Sequence, residues 1–251
     1  MDFICRELPG CRKLVYAWFE AMHTRIDLLV WDDLASVEAI MQLCHAAERE
    51  TARLEQMGSC FIPESEVSMI NMTPVGEEAT GISEEMSDIF SRCVAYNKSS
   101  AGYFDVTAIS GRPTCTSDNL ELKNGTVIRR QDDVRVNLSG FLKGYALDRV
   151  AGIFSEADIH NALISFGTSS VYALGNHPSG EGWIVETVSG ETYCLKDSCL
   201  TTSGNADEHR KHIINPLTGI VIEGKGMVSV VTPNAEEGEV QSTVQFIRNN
   251  T

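Results

Sequence analysis

At 251 residues the chain is long enough for one large domain or two small ones, and a chain of this length buries roughly three quarters of its unfolded surface, so its core needs no disulfide or metal staple. A composition of 43% hydrophobic and 22% charged residues is globular and excludes wholesale disorder, and no apolar run approaches the roughly 20 residues of a membrane span. Lys plus Arg number 20 against 35 Asp plus Glu, and the net charge of −15 repels phosphate backbones, which argues against a nucleic-acid or anionic-membrane partner but not against a small phosphorylated ligand held locally.

The N-terminal stretch MDFICRELPGCRK is interrupted by Asp2 and Glu7 and lacks the apolar core, about ten residues long, of a leader. It predicts no signal peptide and a cytoplasmic chain, although a trimmed periplasmic or lipid-anchored chain reads the same way. Val15 to Trp31 is apolar and rich in aromatic and β-branched residues, broken around His23 and Thr24, and reads as a hairpin or long strand. From Ser36 to Met57, Val37, Ile40, Met41, Cys44, Ala47 and Leu54 recur at helical spacing, with Gly58 at the C-cap. The phrase SEVSMIN (Ser65 to Asn71) follows a loop with Pro63. Ser83 then caps a helix whose apolar face is Met86, Ile89, Phe90, Cys93 and Val94, and which Gly102 closes beside the phrase GYFDVT.

Ser110 to Asp133 is polar and turn-rich, with room for one hairpin at Asn124-Gly125. In VNLSGFLKGYALDRV (Val136 to Val150) a short strand runs into a glycine turn and then a helix through Phe154. Short strands follow at Ala162 to Phe166, Val171 to Leu174, Trp183 to Val188 and Val228 to Thr232. Helices with strands first and mostly strands afterwards predict an α+β fold. We read one domain over 15–251, helix-richer over 15–155 and strand-richer over 156–251, with 1–14 as an extension. The eight cysteines (Cys5, Cys11, Cys44, Cys60, Cys93, Cys115, Cys194 and Cys199) form no Cys-x-x-Cys pair and read as free thiols.

Three stretches carry possible chemistry, each with a plain alternative. Gly140 and Gly144 let the backbone approach a ligand where a turn opens a helix, and Lys143 in that turn can meet a phosphate; a tight turn with a solvated lysine is the alternative. No Walker or dinucleotide fingerprint is present. In TTSGNADEHRKHIINPLTG (Thr201 to Gly219), His209 lies among charges and reads as solvated. His212 abuts Ile213 and Ile214 and reads as semi-buried, either a positioned base or a loop residue. In EVQST, Glu239 and Thr243 are four residues apart on one helix face and can give two oxygens to a hard cation such as Mg²⁺, or simply begin a surface helix.

The order of these phrases, AMHTR, SEVSMIN, GYFDVT, VNLSGFLKGYALD, NALISFG, TSGN with HIINPLTG, and EVQST, resembles the ApbE family of FAD:protein FMN transferases from about Phe19 to Phe246. The resemblance implies a T-fold-like α+β architecture with mixed or antiparallel sheets, flanking helices and a FAD cleft between two subdomains. It implies a Mg²⁺-dependent enzyme that cleaves FAD, passes FMN to a threonine hydroxyl of an acceptor protein and releases AMP. Met22, Phe61, Tyr103, Phe104, Asp105, Asn137, Lys143 and Ile213 would then line FAD. The Gly140 carbonyl, Glu239 and Thr243 would hold the metal, and His212 would activate the hydroxyl. A flavin binder that is silent, or that only hydrolyses FAD, is the alternative. Several positions depart from the pattern: His23 for Gly, Asn137 and Asn215 for Asp, Glu239 for Asp, Phe166-Gly167-Thr168 for a double glycine, and a short segment between Thr107 and Val136.

Overall fold

The computed structural model describes residues 1–8, 13–123, 125–205 and 212–251. Cys11, Asn124 and His209 lie outside them. In chain order come β1 (Asp2–Glu7), β2 (Lys13–Ala21), β3 (Thr24–Asp32), α1 (Val37–Gly58), α2 (Glu66–Met72), α3 (Glu84–Ser99), α4 (Thr116–Asn119), β4 (Leu120–Lys123), β5 (Thr126–Arg129) and α5 (Leu142–Glu156). The rest is strand-rich: β6 (Ala162–Phe166), β7 (Ser170–Leu174), β8 (Trp183–Glu186), β9 (Thr192–Leu195), β10 (Ser198–Asn205), β11 (Ile214–Asn215), β12 (Ile220–Val221), β13 (Gly226–Thr232) and finally α6 (Ala235–Asn249). The expected α+β class is what the chain adopts. None of the described helices is long and apolar enough to cross a membrane.

Two compact units emerge, Met1–Glu55 with Lys143–Thr202 and Ser229–Glu239, and Gln56–Leu142 with Ser203–Val228 and Val240–Thr251. The main sheet has the order β1-β2-β3-β6-β7-β10-β13. Alternation builds its core: Val15, Ala17 and Phe19 of β2, Ile26, Leu28 and Val30 of β3, and Ala162, Ile164 and Phe166 of β6 are all buried. The hairpin β8–β9 sends Trp183 and Leu195 into a second cluster with Trp31, Ala173 and Leu200. In the other unit Ser65 and Ser83 cap α2 and α3 by accepting the amides of Ser68 and Met86. The expected hairpin around residue 125 is β4–β5.

The strand expected at Val136 does not form. The Asn71 amide takes its place as a neighbour, accepting the Val136 N–H at 2.7 Å and donating to the Val136 carbonyl at 2.9 Å. One side chain thus satisfies the backbone groups that a sheet ladder would. The described cysteines are all free thiols.

Met22 and His23 join β2 to β3 as a two-residue loop between the paired Ala21 and Thr24, with φ of 52° and 57°. Positive φ at both central residues is what a type I′ hairpin needs, and it favours Gly or Asn over Met and His. Replacing His23 by glycine should therefore stabilise the protein by about 1 kcal/mol, a rise of roughly 2–4 °C in melting temperature. Thermal unfolding of the variant beside wild type checks this; an unchanged or lower midpoint counts against it.

Candidate active site

The first unit holds three of the expected residues. Met22 sits in the hairpin loop. Lys143 is the second residue of α5 rather than part of the turn, and its Nζ donates to Ser169 Oγ at 3.1 Å. Glu239 is only 5% exposed, and its Oε1 accepts from Ser170 Oγ at 2.5 Å.

Gly144 has a different use from the one its sequence suggested. A Cβ there would lie 2.5 Å from the Ala235 carbonyl oxygen and 2.7 Å from Glu239 Cγ, so the close approach is to α6 and not to a ligand. Asp148, one turn further along α5, accepts the amides of Ala235 at 2.7 Å and Glu236 at 2.8 Å. A carboxylate at the positive end of a helix is electrostatically favoured. Burial pushes the Cys199 thiol up to about 12, with a smaller contribution from the charges of Asp148 and Glu239, so it stays protonated and unreactive.

The second unit gathers most of the rest. Asn71 fixes the Val136 backbone, and the Asn137 amide reaches the Val106 carbonyl at 2.8 Å while its Oδ1 accepts from Ser139 N–H at 2.9 Å. Asn215 Oδ1 likewise accepts from Leu217 N–H at 2.9 Å. Both roles need an oxygen acceptor and no charge, so asparagine serves at these two positions. Gly140 is open, with nothing within 4 Å of where a Cβ would stand.

Asp105 is the focus of the GYFDVT turn. Its Oδ1 accepts from Thr107 N–H, Thr107 Oγ1 and Thr116 Oγ1, each at 2.6 Å. Its Oδ2 is buried with no hydrogen-bond partner among the described residues. Leaving a buried acceptor unmet costs roughly 1–3 kcal/mol, more when it is charged, which makes it a place where a ligand donor gains. Phe104 is 4% exposed, with its ring 6.2 Å from those of both Tyr96 and Phe141, so it is a core residue. Tyr103 and Ile213 meet in a cluster with Ile222, Phe246 and Ile247.

His212 is exposed rather than semi-buried, and Phe61 is 69% exposed. Thr243 Oγ1 lies 3.0 Å from Ser203 Oγ. Beside Asn137 is a cavity of about 600 Å³ lined by Cys60, Asn71, Met72, Arg129 and Arg135 among others. Arg129 was not singled out from the sequence. It is buried, and it donates to the carbonyls of Ile70, Thr73 and Val134, which ties the end of α2 to the loop before Val136. Burial lowers its pKa, with the neighbouring Arg135 charge adding to the effect. Its only sequence signal is position: a basic residue ending an otherwise apolar strand.

Among the described residues no group of three or more His, Cys, Asp or Glu could hold a metal. The expected donors are one carboxylate, one hydroxyl and one carbonyl, all oxygens, the class that a hard cation such as Mg²⁺ takes without a carboxylate cage.

The chain is similar in sequence and in fold to known flavin transferases. A family model described as ApbE family matches residues 22–111 and 108–251. A FAD:protein FMN transferase from Chlamydia muridarum is 31% identical over 137 residues, 50% of this chain and 43% of that protein. One from Chlamydia pneumoniae is 25% identical over 245 residues, 79% of this chain and 77% of that protein. The chain thus spans less than half of the first relative and about three quarters of the second. Among solved structures, flavin transferase ApbE from Vibrio cholerae aligns with a TM-score of 0.80 at 19% identity, over 94% of this chain and 87% of that one. The apo form of Pseudomonas stutzeri flavinyl transferase ApbE aligns with a TM-score of 0.83 at 16% identity, over 99% and 88%. At these identities the structural likeness establishes the fold.

Proposed function

The chain belongs to the ApbE family, and on that premise we propose that it is a FAD:protein FMN transferase. It binds FAD, and a threonine hydroxyl of an acceptor protein attacks the phosphorus on the FMN side of the pyrophosphate. The new bond is a threonine–phosphate ester, the bond broken is that from this phosphorus to the bridging oxygen, and AMP leaves with that oxygen. The hydroxyl proton goes to His212, whose exposed imidazole is accessible to a protein acceptor.

The observation that carries flavin binding is Asp105: a carboxylate held by three donors on one oxygen while the other, buried, has no hydrogen-bond partner among the described residues. Transfer at phosphorus needs positioning and charge neutralisation more than covalent help. Lys143 supplies a cation for phosphate. The Gly140 carbonyl, Glu239 and Thr243 would hold Mg²⁺, which when bound adds positive charge against the pyrophosphate oxygens.

The test is incubation with FAD, Mg²⁺ and an acceptor domain carrying a target threonine, followed by intact-mass measurement and nucleotide analysis. The expected result is an acceptor heavier by one FMN unit, AMP released in equal amount, no gain on a Thr→Ala acceptor and none with chelator. Free FMN and AMP with an unmodified acceptor would identify a hydrolase instead, and neither product a flavin-binding protein.

A further inference from the structure

We propose that Ser169 and Ser170, the tandem serines at the start of β7, are positioning residues that link the phosphate-facing lysine and the metal-facing carboxylate. The inference rests on the reading of Lys143 and Glu239 given above and adds two residues to it. Lys143 Nζ donates to Ser169 Oγ at 3.1 Å, the two serine oxygens are 3.4 Å apart, and Ser170 Oγ donates to Glu239 Oε1 at 2.5 Å. All four residues lie in the first unit.

A lysine ammonium only donates and an ionised carboxylate only accepts, while a hydroxyl does both. Ser169 therefore accepts from Lys143 and Ser170 donates to Glu239, while the Ser169 hydroxyl itself donates to the Phe166 carbonyl at 3.5 Å. The Ser170–Glu239 link has the length of a charge-assisted hydrogen bond, and Ser170 is fully buried.

Glutamate has one methylene more than aspartate, so its carboxylate needs something to decide where the longer arm ends. Two things do so here. The absence of a side chain at Gly144 leaves the space that Glu239 Cγ occupies, and Ser170 fixes one of the two oxygens. Losing the Ser170 hydroxyl would free the arm and with it the position at which the carboxylate is presented to a cation.

The measurement is Mn²⁺ affinity, by electron paramagnetic resonance on the full chain without FAD. In Ser170→Ala the dissociation constant should rise by about 10–100-fold, the usual effect of removing a partner of a metal ligand. The melting temperature should fall by several degrees too, since a buried acceptor loses its donor, so affinity is read well below the variant's unfolding transition. Ser170→Thr, which keeps the hydroxyl, should bind within about threefold of wild type, an outcome a merely space-filling role would not give. Wild-type affinity in Ser170→Ala, with binding lost in Glu239→Gln, overturns the positioning role and leaves the metal reading standing. Wild-type affinity in Glu239→Gln overturns the metal reading itself.

Discussion

Alanine at position 144 should destabilise the protein by about 3 kcal/mol, or roughly 10 °C in melting temperature, the upper end of overpacking costs for a chain of this size. Helix propensity points the other way, since alanine is better than glycine in a helix by about 1 kcal/mol. Packing decides the sign. The added methyl would lie 2.5 Å from a backbone oxygen of α6, a contact that no rotamer relieves. Gly152 on the same helix has nothing within 4 Å of its missing Cβ. There the propensity term stands alone, and Gly152→Ala should stabilise the protein by up to about 1 kcal/mol. Thermal unfolding of the two variants side by side checks both signs. Equal shifts would show that α6 yields to the extra methyl.

Replacing His212 by alanine should slow FMN transfer by roughly 10²–10⁴-fold, the usual share of general-base catalysis. FAD affinity should be unchanged, because a base that acts on the acceptor hydroxyl adds nothing to ground-state binding of the other substrate. The exposure of His212 sharpens this expectation: removing an exposed side chain leaves no cavity, so the melting temperature should also hold. Single-turnover transfer rates, FAD titration and thermal unfolding on this one variant separate the possibilities. A rate within a few-fold of wild type removes His212 from the mechanism, and a joint loss of affinity and stability makes it a loop residue.

Where one face of an element is buried, the sequence announces it. β2, β3 and the five residues of β6 are readable because each is a short run rich in apolar, aromatic and β-branched residues, every second one of which meets the core. Ser83 is readable as a cap because its partner is three residues away. β1 is not readable: all six of its residues are exposed, so burial imposes no pattern on it. The missing strand at Val136 fails for another reason, since its backbone partner is a side chain 65 residues earlier.

The candidate site divides the same way. Residue types within each phrase are local and legible, whereas Asn71, Arg129, Asp148 and the tandem serines act across long stretches of chain that no spacing rule covers. His212 illustrates a narrower error. Two isoleucines beside it suggested a shared semi-buried place, yet successive side chains in an extended segment point to opposite sides, and only Ile213 is buried.

The start of α6 has two origins in time. Asn234, its immediate neighbour, accepts the Glu237 amide and can do so as soon as the local chain turns. Asp148, which takes the Ala235 and Glu236 amides, stands 87 residues before the first of them and is available only after α5 has arrived. A nascent α6 would therefore hold one cap and fray at its first turn, and the two remaining amides would exchange with solvent until the first unit had closed around them. That turn is the one that carries into Glu239, so the position of the carboxylate depends on a long-range cap as well as on a local one.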